Sequence, residues 1–176
     1  LIQFIDLAAQ QRQILSDGRS LRDHIDSRIA AVLDHGKYIL GPEVAELEAQ
    51  LAAYVGVEHC IAVASGTDAL LIALMALGIQ AGDEVITTAF TFYATIGAIV
   101  TAGAKPIFCD IGADYNIDPS EIESKITPAT KAILPVHWSG KPCDMDTIEE
   151  IGKKYNLPIV GDACHAISAS YKGRTA

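Results

Sequence analysis

Short apolar runs alternate with helical patterns from residue 59 onward, and this alternation constrains the fold more than any other feature. HCIAVA (59–64), DEVITT (83–88), KPIFCDI (105–111), KAILPV (131–136) and LPIVGD (157–162) read as strands. Between them TDALLIALMAL (67–77), TFYATIGAIVTAG (91–103), PSEIESKI (119–126) and DMDTIEEIGKKY (144–155) read as helices. Continuous apolar strands need cover on both faces, and intervening helices make such strands parallel. The expected fold class is therefore α/β: a three-layer αβα sandwich on a mostly parallel sheet. The 67–77 helix is apolar on nearly every side and is expected to be deeply buried. Ahead of the alternation, Leu21, Ile25, Ile29 and Val32 share one helical face, which Gly36 ends. Pro42 suits the first turn of a second helix that carries Val44, Leu47, Leu51 and Tyr54 on one side and stops at Gly56. Residues 1–56 are accordingly expected as an N-terminal helical segment, and 57–176 as the sheet-bearing domain.

Charge and cysteine usage narrow the function classes. The 176 residues carry 13 basic and 22 acidic side chains, a formal charge of −9, with no basic cluster. A nucleic-acid or anionic-membrane partner is disfavoured. Cys60, Cys109, Cys143 and Cys164 include no CxxC pair, so neither a zinc ribbon nor a thioredoxin-type site is suggested. Free thiols in apolar runs fit a reducing, cytoplasmic setting. IQFIDLAAQQ has no basic start and no long apolar core, so no leader peptide is expected there, and no segment reads as membrane-spanning.

In parallel sheets, ligands bind beyond the carboxyl ends of the strands. Ala64-Ser65-Gly66-Thr67-Asp68 opens the 67–77 helix. Its first backbone N–H groups can cradle an anion, or the turn is only a helix cap. It matches neither GxxxxGK[ST] nor GxGxxG. Ala89-Phe90-Thr91-Phe92-Tyr93 brings three aromatics to one turn in a chain with 6% aromatic residues. One can lie flat on a planar ligand, or all can be core. Asp162 ends the last strand, with His165 three residues on. It can cap a helix, bind a metal or pair with a cationic ring nitrogen, and no second carboxylate or thiol pair supports the metal reading. Anion cradle, aromatic plate and buried carboxylate together describe a planar, phosphorylated, nitrogenous cofactor. Pyridoxal 5′-phosphate fits that description.

The chain resembles the DegT/DnrJ/EryC1/StrS family of pyridoxal-phosphate-dependent sugar aminotransferases, of fold type I. The likeness runs through FIDLAAQ, GKYILGPEVAELEAQLAAYVG (36–56), ASGTDALLIAL (64–74), GDEVITTAFTFYAT (82–95), AKPIFCDI (104–111), ITPATKAILPVHWSGKPCDMD (126–146) and LPIVGDACHAISASYKG (157–173). It implies that Gly66, Thr67 and Asp68 bind the cofactor phosphate and that Phe92 stacks on its ring. It implies that Asp162 pairs with the ring nitrogen and that His165 lies by the ring hydroxyl, so Asp162 and His165 are the candidate catalytic residues here. No metal is expected. Segment 37–42 resembles the family's early loop near the active-site mouth. The resemblance also implies a homodimer, a nucleotide-linked keto-sugar substrate and an amino-acid donor, usually glutamate.

The family's Schiff-base lysine lies roughly two to three dozen residues beyond the Asp162 position, on a later strand. Lys172 belongs to the SYKG turn instead. The resemblance thus makes the expected three-layer αβα sandwich a partial one: the N-terminal part of a fold type I large domain, an incomplete cofactor domain over 57–176 that is inactive alone. A sugar dehydratase of the same family, with histidine at the lysine position, is the alternative enzyme. A non-catalytic cofactor- or partner-binding fragment is the alternative of another class. His24, His35, His59 and His137 read first as structural: His24 and His35 on or near a solvated helix, His59 opening a strand. His137 lies after a strand and so faces the ligand edge, where lining the site is the lesser alternative, and Trp138 beside it serves sugar packing or only the core.

Overall fold

The structure is a computed structural model and describes residues 5–175. The leader-peptide reading falls partly on residues 1–4, outside the described part. The chain separates into two compact units. One runs to Tyr54 and takes in Glu58–Cys60. The other comprises Val55–Val57 and the chain from Ile61.

The first unit is helical: α1 (Leu7–Gln11), α2 (Leu21–His35) and α3 (Pro42–Val55). Weak periodicity hides α1, which Asp6 caps through a hydrogen bond from the Ala9 N–H at 2.9 Å. Ser20 and Asp23 close a reciprocal capping box on α2, and Gly36 ends it at φ 64°, the conformation expected from sequence. Pro42 opens α3 as expected. The apolar stripe of α2 forms but buries no residue: Ile25 and Ile29 remain exposed.

The second unit carries the sheet. Its elements are α4 (Gly66–Ala76), β1 (Glu84–Thr88), α5 (Tyr93–Thr101), β2 (Lys105–Cys109), α6 (Pro119–Lys125), β3 (Thr130–Ile133) and α7 (Met145–Tyr155). A small hairpin follows, β4 (Ser170–Tyr171) and β5 (Arg174–Thr175), which turns through Lys172 and Gly173. The strands run parallel in the order β2-β1-β3. Residues 158–162 extend the sheet beside β3 through two parallel bridges, Ile133 with Ile159 and Val136 with Asp162. Pro135 lies between the bridges and has no N–H to give, so the ladder is interrupted there.

Side-chain alternation sends Val85, Ala132, Leu134 and Val136 to a core with α4 and α5. Ile86, Cys109 and Ile133 go to the other face, against Ile122 of α6 and Ile148 of α7. This is the three-layer α/β arrangement expected from the alternation of runs.

Two sequence readings are corrected. HCIAVA (59–64) is not a strand: it belongs to neither sheet, and the boundary between the two units passes through it. Apolar β-formers make a strand only when a neighbouring strand completes the ladder, and none of β1–β3 pairs with this run. His59 therefore opens no strand. Nor is α4 deeply buried. Only Leu70 and Leu74 are enclosed, while Ile72 is 49% and Met75 62% exposed. As an outer-layer helix, α4 packs one face inward on the sheet and α5, and nothing described in this unit covers the other.

The two-sided core predicts that Ile133→Ala, a fully buried site, costs about 2–5 kcal/mol. Lys131→Ala, exposed on the same strand, should stay within about 0.5 kcal/mol. Denaturant unfolding of the complete polypeptide checks both. Equal effects would contradict the core assignment.

Candidate cofactor site

Because the strands are parallel, their carboxyl ends meet along one edge. There a cavity of about 240 Å³ opens between the start of α4, the turn after β1, the turn after β3 and the segment after Asp162. Gly66, Thr67, Phe92, Asp162 and His165 all line it. Asp68, also assigned to the phosphate by resemblance, is not among the lining residues, nor are Ser65, Phe90 and Tyr93 of the two turns. Asp68 sits half-buried in the first turn of α4, and its N–H is taken by the Ser65 hydroxyl at 3.1 Å.

The start of α4 serves two purposes. Ser65 is the N-cap, so the capping reading holds. The N–H groups of Gly66 and Thr67 stay without partners among the described residues and border the cavity, where an anion could reach them. The turn is also tightly packed. A Cβ on Gly66 would come within 3.1 Å of the Cys164 sulfur.

Asp162 is 7% exposed. The Thr95 hydroxyl donates to its Oδ2 at 2.7 Å, and the Cys164 N–H reaches Oδ1 at 3.3 Å. An ionised carboxylate only accepts, so Thr95 spends its proton on Asp162. The Thr91 hydroxyl, 2.9 Å away, then donates to Thr95. Thr95 lies fully buried in the first turn of α5, and its partner is 67 residues away in the chain. No local pattern reveals that pairing. No lysine, arginine or histidine is ion-paired with Asp162 among the described residues. A buried carboxylate with hydrogen bonds but no cation, at the wall of a cavity, suits a ligand that brings its own positive N–H.

The other walls are aromatic. Phe92 is the unassisted N-cap of α5, 60% exposed, with its ring against Tyr93 at 4.4 Å. Trp138 stands on the turn after β3, with Phe90 at 4.6 Å and His165 at 6.3 Å between ring centroids. The residues present thus fit a planar phosphorylated ring with a protonatable nitrogen: N–H donors for the phosphate, an aromatic plate, and a carboxylate for the nitrogen.

Partial burial under the α4 turn and then the neighbouring Asp162 push the Cys164 thiol up to about 11, so it stays protonated at neutral pH. His137, 6% exposed, lines the cavity, as its place after a strand suggested. Its Nδ1 accepts the Cys143 N–H at 3.1 Å, which puts the proton of the neutral ring on Nε2.

Residues 19–176 match the DegT/DnrJ/EryC1/StrS aminotransferase family. The chain belongs to this family. The family's aminotransferases use pyridoxal 5′-phosphate, the cofactor the site's donor set describes. The chain is 50% identical over 175 residues to the UDP-2-acetamido-2-deoxy-3-oxo-D-glucuronate aminotransferase of Pseudomonas aeruginosa, covering 99% of this chain and 47% of that protein. It is 44% identical to a Geobacillus stearothermophilus protein named pleiotropic regulatory protein, over 98% of this chain and 45% of that one. Among solved structures it is similar to DesV of S. venezuelae in complex with a ketimine intermediate, with a TM-score of 0.92 and 43% identity over 99% of this chain and 46% of that chain. NtdA from Bacillus subtilis with bound PMP aligns at a TM-score of 0.85 and 40% identity, over 100% of this chain and 40% of that chain. The chain spans about half the length of the relatives it matches. These likenesses make the sheet the fold type I architecture.

Burial is the first cause holding His137 below the ordinary imidazole range, and Asp162 pulls the other way. The unfolded chain then takes up this proton at a higher pH than the folded one. Stability should fall as pH drops from about 6.5 toward the lower folded value. His137→Asn keeps an acceptor for Cys143 without the titration. The melting temperature of the complete polypeptide should therefore fall less between pH 7.5 and 5.5 in that variant than in the wild type. Parallel profiles would contradict the buried neutral ring.

Proposed function

We propose that these residues form the cofactor half of a sugar aminotransferase that moves an amino group, from glutamate as donor, to a nucleotide-linked keto-sugar. The observation that carries the reading is Asp162: a buried carboxylate at the cavity wall with hydrogen-bond donors but no cationic partner. Pyridoxal phosphate, when bound, supplies a protonated ring that draws off the electron pair released at the reacting carbon. Asp162 holds the ring proton. Thr95 and the Cys164 N–H hold the Asp162 side chain in place at the cavity wall. Gly66 and Thr67 take the phosphate through the first N–H groups of α4, with Asp68 completing that turn. Phe92 would stack on the ring and His165 would hold its hydroxyl.

Among the described residues no lysine lines the cavity, and Lys172 of the β4–β5 turn ion-pairs Asp146 of α7. The Pseudomonas relative named for a UDP-linked 3-oxo sugar supports the substrate class. A cytoplasmic homodimer acting in polysaccharide biosynthesis is the setting that fits this reading.

Asp162→Asn tests it in the complete polypeptide. Removing a preorganised charge of this kind should lower transamination by about 10²–10³-fold, with the fold intact by circular dichroism. Turnover equal to wild type would overturn the assignment. Wild-type protein that takes up the cofactor but transfers no amino group would favour a non-catalytic role, consistent with the name of the Geobacillus relative.

A further inference from the structure

The cavity has more aromatic wall than a cofactor needs. Phe92 already offers one plate, from the turn after β1. Trp138 offers a second, from the turn after β3. It does not stand alone. Phe90 packs on it at 4.6 Å, and Tyr115 packs on Phe90 at 5.7 Å. Phe90 and Tyr115 are 41% and 57% exposed, so the row runs from the cavity out to solvent.

The loop that carries Trp138 is built to stay in place. Asn116, 1% exposed, accepts the Trp138 N–H on Oδ1 at 2.9 Å. Its amide donates to the Lys141 and Pro142 carbonyls at 3.1 and 3.3 Å. His137 fixes the far end of the loop through Cys143. Ser139 and Tyr115 hold positive φ, 51° and 67°, which non-glycine residues adopt only when their surroundings enforce it. Gly140 passes so near the His165 backbone that a Cβ would meet its carbonyl oxygen at 2.8 Å. One buried asparagine and two strained residues hold an exposed aromatic row, an arrangement that a packing role alone does not call for.

We propose that Trp138, backed by Phe90 and Tyr115, is the platform on which the keto-sugar ring of the substrate lies. The inference rests on the aminotransferase reading and adds where the sugar sits. A pyranose has a face of C–H bonds that packs on an indole and hydroxyls around its rim that stay in water. An aromatic row open on its outer side suits such a ring. A fully enclosed slot suits a cofactor ring better.

The test uses the complete polypeptide with pyridoxal phosphate bound, and the variants Trp138→Ala and Trp138→Phe. Calorimetry measures binding of UDP-N-acetylglucosamine and of UDP alone, and absorbance measures cofactor affinity. Trp138→Ala should weaken the UDP-sugar by about tenfold, the range of a single aromatic stack. UDP and the cofactor should be unaffected, and Trp138→Phe should restore most of the loss. Equal loss for UDP would assign the row to the nucleobase and overturn the proposal. Loss of cofactor affinity would assign Trp138 to the cofactor, with the same consequence. A wild type that binds cofactor but not the UDP-sugar overturns the platform alone. A wild type that binds no cofactor overturns the aminotransferase reading beneath it.

Discussion

A carboxylate enclosed at the end of a parallel sheet is the constraint around which the site is arranged. Removing Asp162 from water is unfavourable unless donors meet its oxygens. One donor is local, the backbone N–H two residues on, and the other is distant in sequence, a hydroxyl in the first turn of α5. The distant one needs the sheet. Asp162 reaches the edge because its N–H and C=O engage Pro135 and His137 across the bridge to Val136. Thr95 reaches it because β1 delivers α5 at the same edge. The core on both sheet faces therefore serves the chemistry by fixing where these ends meet.

Around that carboxylate the walls differ in how they are held. The α4 turn is held by packing against Cys164, which leaves its outward N–H groups free for an anion. The turn after β3 is held by buried polar clamps, Asn116 and His137, at the cost of backbone strain at Ser139 and Tyr115. Sites that must present groups to a ligand without rearrangement are built in this way. Phe92 is the contrast: it caps α5 without any side-chain hydrogen bond and lies open.

Much of this was legible in the sequence, and the exceptions have physical causes. Helix starts and stops at Pro42, Gly36 and Pro119 are local matters of φ and caps, and each appears where the residues place it. The position of Asp162 follows from an apolar run that ends in a carboxylate, although that run joins the sheet only through two bridges and forms no continuous strand. Strand 59–64 was misread because ladder pairing is not a local property. The exposure of Ile72 and Met75 was misread because composition reports what a helix can bury and not what covers it. Thr95 and Asn116 gave no signal at all. A threonine in a first turn and an asparagine after a bend are common, and their importance comes from partners 67 and 22 residues away. His137 and Trp138 were placed at the ligand edge by their position after a strand, without the clamps that hold them.

The central claim is that Asp162 keeps the nitrogen of the bound cofactor ring protonated. The complete polypeptide reconstituted with pyridoxal phosphate labelled with ¹⁵N in the ring reports this directly. The account predicts a pyridinium ¹⁵N shift that persists at pH values where the free cofactor has lost its ring proton, and its loss in Asp162→Asn. A neutral pyridine signal in the wild-type protein at neutral pH would contradict it.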